Sequence, residues 1–72
     1  MDEAFNQRCK DLIEQRLDDL ILRPDVREVI VGTIKIRPSA DTGFCTIKGE
    51  TQLWHANRVS LTIYLRRALG VE

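Results

Sequence analysis

Apolar positions change rhythm twice along this chain. From Phe5 to Ile21 they recur every three or four residues, at Phe5, Cys9, Leu12, Ile13, Leu17, Leu20 and Ile21. That spacing puts them on one face of a helix and predicts a first helix from about Asp2 to Leu22. Asp11, Glu14 and Asp18 fall on the opposite face, and only Arg16 interrupts the apolar stripe. Asp2 supplies an N-cap oxygen, and Glu3 adds a negative charge where the helix dipole favours one. Pro24 ends the helix, because proline drives the residue before it out of helical geometry.

From Glu28 the rhythm shortens to two. Val29 to Arg37 and Phe44 to Glu50 read as two strands of an antiparallel hairpin, with Pro38 to Gly43 as the loop. Numbering parity splits the hairpin into two faces. Ile30, Ile34 and Ile36 claim the core, and a register that pairs Arg37 with Phe44 and Lys35 with Thr46 brings Cys45 and Ile47 to the same side. The other side then carries Val29, Val31, Thr33, Lys35, Arg37, Phe44, Thr46, Lys48 and Glu50. Gly32 in mid-strand suggests a bulge or a close neighbour.

Beyond Glu50 helical spacing returns. It predicts a last helix from about Gln52 to Leu69, with Thr51 as N-cap and Gly70 as its stop. Arg66 and Arg67 lie in the last turn, where cations complement the dipole. The core face is Leu53, Trp54, Asn57, Leu61, Tyr64, Leu65 and Ala68, and His55 belongs to a polar arc. A second apolar stripe, Ala56, Val59 and Ile63, lies on the far side. A helix that is apolar on two sides is covered on two sides.

These elements give an α+β fold: helix–strand–strand–helix, an antiparallel β-hairpin packed by two helices, in one small domain over residues 1–72. A chain this short leaves about 40% of its unfolded surface in water, so its stability is marginal and a partner is a natural source of more. The composition is globular, 43% hydrophobic and 31% charged, which excludes disorder. Basic and acidic residues balance at 11 each, unlike a dedicated nucleic-acid binder. The balance is not local: residues 1–25 hold seven acids against four bases, and residues 26–72 hold seven bases against four acids. No apolar run approaches the roughly 20 residues of a membrane helix. The acidic start, Met1-Asp2-Glu3, is unlike a signal peptide, so a cytoplasmic protein with reduced thiols is expected.

The chemistry-bearing residues are few. Cys9, Cys45 and His55 lack paired ligand spacing, so no metal or cofactor is expected. The thiols fall on apolar faces and the histidine on a polar one, so no nucleophile and base converge. The carboxylates of the first helix lie on a solvated face where nothing perturbs them. No glycine-rich phosphate loop is present, and no small-molecule substrate suggests itself. The sequence therefore reads as a non-enzymatic protein-interaction module of the regulatory, accessory or inhibitor kind, a homodimer or the partner of a protein target. The expected interface is Val29, Val31, Ala56, Val59 and Ile63, rimmed by Arg66 and Arg67. The alternative is a small nucleic-acid binder using Lys35, Arg37, Phe44 and Lys48 as a basic face with one stacking ring.

Overall fold

A computed structural model describes residues 2–40 and 42–71. The chain is α+β, with two helices and a four-stranded antiparallel sheet. Helix α1 spans Glu3–Leu22. Strands β1 (Val29–Val31), β2 (Ile34–Pro38), β3 (Phe44–Lys48) and β4 (Thr51–His55) follow, and then helix α2, Arg58–Ala68. Each strand pairs with the next, so the sheet is a meander in the order β1-β2-β3-β4. Asp41, in the loop between β2 and β3, lies outside the described residues.

The first helix is where its local signals put it. The Asp2 side chain accepts from the Ala4 N–H at 3.0 Å. Arg23, the residue before Pro24, is extended at φ −109°, as proline demands. Only part of the apolar stripe is covered: Ile13, Leu17 and Leu20 are buried, whereas Phe5, Leu12 and Ile21 are exposed.

The hairpin expected over residues 28–50 is instead the middle of a longer sheet. Gly32 is no bulge. With Thr33 it forms a two-residue turn that folds β1 back on β2, and its φ of +62° at the first turn position is that of a type II′ hairpin. Gly49, at φ +60°, does the same with Glu50 between β3 and β4. The first turn reverses the parity argument. Val31 pairs with Ile34, and Val29 with Ile36, so odd positions in β1 share a face with even positions in β2. Between β2 and β3 the register is Arg37 with Cys45 and Lys35 with Ile47, one residue from the expected pairing. A one-residue slip exchanges the two faces of a strand. The inward face is therefore Val29, Val31, Ile34, Ile36 and Thr46, all buried. Ile30, Cys45 and Ile47 turn to the face without helices.

The helix expected from Gln52 begins six residues later. Thr51–His55 is β4, paired residue by residue with β3 from Lys48–Thr51 to Phe44–His55. The N-cap is Asn57, not Thr51; its Oδ1 accepts from the Ser60 N–H at 2.9 Å. The C-terminal end matches expectation, with Arg66 and Arg67 in the last turn. There the Gly70 N–H donates to the Arg67 carbonyl and the Val71 N–H to the Arg66 carbonyl, a Schellman cap.

Both helices pack on one face of the sheet. Leu61 and Leu65 of α2 join Ile13, Leu17 and Leu20 of α1 over the inward sheet residues, and these side chains form one core. Arg58 ties the helices together. It donates to Asp18 at 2.8 Å and to Glu14 at 2.6 Å. Its hydrogen bond to Asp18, reinforced by that to Glu14, raises its pKa further above the ordinary arginine value.

Candidate protein interface

The residues expected to form an interface separate into two groups. Val29 and Val31 are buried beneath the helices, and neither shares a surface with Val59 and Ile63. They belong to the core because the Gly32–Thr33 turn reverses the strand before the isoleucine alternation resumes. Ala56, Val59, Ile63 and Arg67 are exposed, and Arg66 is half-buried. Leu61 and Leu65 take the inward face of α2. Val59 and Ile63 consequently point away from the sheet and are 69% and 48% exposed. With Glu14, Arg58, Thr62 and Arg66 they line an open groove of about 360 Å³ between the helices. Nothing in the monomer covers this stripe among the described residues.

The electrostatics of the groove are already partly settled. Arg58 spends its charge on Glu14 and Asp18, which leaves Arg66 and Arg67 as the basic rim. The Arg66 Nε is buried without a hydrogen-bond acceptor among the described residues.

The alternative basic-aromatic constellation is not assembled. Lys35 and Arg37 stand on the sheet face without helices, whereas Phe44 packs against the core on the other face. Lys48 shares the parity of Phe44, not that of Lys35. Arg37 is held by Glu28 at 2.6 Å.

The candidate chemical groups are also dispersed. Cys9 and Cys45 are free and half-buried. His55, expected at the surface, is buried at the end of β4. Its Nε2 lies 2.9 Å from the Thr46 hydroxyl, and its ring packs 4.8 Å from that of Tyr64. Burial lowers its pKa below 6.5. Cys45 pairs across the sheet with Trp54 and so faces away from the histidine. Among the described residues no three His, Cys, Asp or Glu side chains come together as a metal site, and no helix is long and apolar enough to cross a membrane.

Two surface features escaped the sequence pattern. Trp54, expected in the core, is 60% exposed on the sheet face without helices; its indole N–H donates to the Thr42 carbonyl at 3.0 Å, which fixes the ring. Leu53 sits on the helix-bearing face beside buried Thr46, yet remains 41% exposed because α2 leaves β4 largely uncovered. The signals that reveal both are Gly49-Glu50, a two-residue turn between apolar runs, and Asn57, a stronger N-cap than Thr51. Comparison with protein-family models, with curated proteins and with solved structures finds no match for this chain.

Proposed function

We propose that the protein is a small non-enzymatic protein-interaction module of the regulatory, accessory or inhibitor type, which pairs with a second copy of itself and offers the outward face of α2 to a protein target. The observation that carries this reading is the stripe of Val59 and Ile63, open to solvent in a groove between two helices. Large apolar side chains gathered in one place on a small monomer mark an interaction site.

The division between self and target follows from magnitudes. Full burial of a valine or isoleucine contributes about 1.5–3 kcal/mol. At the observed exposures of Val59 and Ile63, a symmetric contact between two stripes gains roughly 3.5–7 kcal/mol. Association costs an estimated 4–15 kcal/mol, so the stripe by itself leaves at best a small surplus. Val29 and Val31, which would have enlarged a symmetric contact, are spent in the core. A target that brings its own complementary surface fits better. Arg66 and Arg67 at the rim favour an amphipathic helix whose apolar anchors are flanked by acidic residues.

The test is solution mass across a wide concentration range, by light scattering or sedimentation. A monomer throughout removes the homodimer. The double variant Val59→Asp with Ile63→Asp is expected to keep its mass and, since the two side chains are 69% and 48% exposed, to lose only part of the monomer's stability. A fall to monomer mass in that variant would reassign the stripe from target to second copy.

A further inference from the structure

We infer that β4 is the strand through which two copies pair, antiparallel about a two-fold axis at Leu53, so that two four-stranded sheets become one of eight strands. This rests on the self-association proposed above and specifies where it occurs.

The backbone register supplies the first argument. In an antiparallel ladder alternate residues direct their N–H and C=O groups toward the neighbouring strand. The pair that closes a two-residue hairpin, here Lys48 with Thr51, does so, and with it Thr46–Leu53 and Phe44–His55. Gln52 and Trp54 therefore direct theirs to the open edge of the sheet. No turn, loop or cap hydrogen bond within the chain reaches either residue among those described.

The second argument is the lack of any device that blunts the edge. Exposed edges are protected by brevity, proline, charge or a bulge. Strand β4 is five residues of Thr, Gln, Leu, Trp and His, with no proline, no lysine and an unbroken register to β3. The opposite edge differs: β1 has three residues, and Arg16, Asp19 and Glu28 stand beside it.

The third argument is self-complementarity. Only a register centred on Leu53 overlaps all five residues of both strands. It sets Gln52 opposite Trp54 of the second copy and Trp54 opposite its Gln52. Each of these pairs exchanges two hydrogen bonds, so the four outward N–H groups and four outward C=O groups of the pair are all matched. Leu53 meets Leu53 of the second copy in a non-hydrogen-bonded position, where side chains approach most closely. That accounts for a leucine on the core side of the sheet that the monomer leaves 41% exposed. No charge lies within the paired strands.

A charge exchange at the axis tests the pairing. Leu53→Lys and Leu53→Glu, each alone, place two like charges face to face and are expected to raise the dissociation constant at least tenfold. Mixing the two variants is expected to restore association, because the only new contact is then Lys against Glu. Far-UV circular dichroism checks that both fold. Should either fail to fold, amide hydrogen exchange on the unaltered protein serves instead: the Gln52 and Trp54 amides are expected to slow as concentration rises. An unaltered protein that dimerises while both variants remain dimeric, or whose Gln52 and Trp54 amides ignore concentration, overturns β4 pairing and leaves self-association standing. An unaltered protein that is monomeric at every concentration overturns both.

Discussion

Val31→Ala, set against Ile30→Ala, tests which face of the sheet holds the protein together. Val31 is 0% exposed, whereas its neighbour Ile30 is 51% exposed on the opposite face. Truncating Val31 removes two buried carbons at about 0.8 kcal/mol each. A void of about 40 Å³ at about 24 cal/mol per Å³ adds about 1 kcal/mol, for a total of about 2.5 kcal/mol. Truncating Ile30 removes three carbons already half in water and leaves no cavity, which costs about 1 kcal/mol. A domain of this size has about 4–11 kcal/mol of stability, so the valine alone carries a large share. The assay is urea denaturation followed by circular dichroism at one fixed protein concentration, because self-association makes stability concentration-dependent. On heating, the expected falls in Tm are about 10–20 °C for Val31→Ala and about 4–8 °C for Ile30→Ala. Equal losses, or a larger loss at Ile30, would refute the turn at Gly32–Thr33 and return the isoleucines of one continuous strand to the core.

Two further outcomes follow from buried and bridging polar groups. Burial holds the His55 pKa below its unfolded value of 6.5, so the unfolded chain takes the proton first. Stability is therefore full above about pH 6.5, falls as acid is added, and levels off below the folded-state pKa. His55→Gln should flatten that part of the denaturation profile between pH 7 and pH 5; an unchanged slope would show that another group is responsible. Arg58→Ala removes both links from α2 to Glu14 and Asp18. The pairs are partly exposed, so the expected loss is about 1 kcal/mol, smaller in high salt. Arg58→Lys should fall between the two, since an ammonium lacks the fork that spans both carboxylates.

The signals at the two ends of α1 and at the end of α2 were legible in the sequence. Asp2 and Pro24 bound α1, and Gly70 with its preceding arginines ends α2, because caps and stops depend on a few adjacent residues. The outward stripe of Val59 and Ile63 was legible for the same reason: helical period alone places it opposite Leu61 and Leu65. The α+β class follows from such evidence.

The strand count, the inward face and the open edge were decided by the tertiary structure. The alternation from Val29 to Arg37 fits one long strand as well as two short ones, and which residues face inward depends on whether the chain reverses at Gly32. Residues 51–57 fit a helix by period, yet Thr51–His55 pair with β3, which satisfies the backbone of Thr51, Leu53 and His55 and delays the helix to Arg58. Strand pairing is a contact between separate segments, and a slip of one residue exchanges every side chain between faces. That is why Val29 and Val31 moved from the expected interface into the core, and why Leu53 and Trp54 moved from the expected core to an open edge.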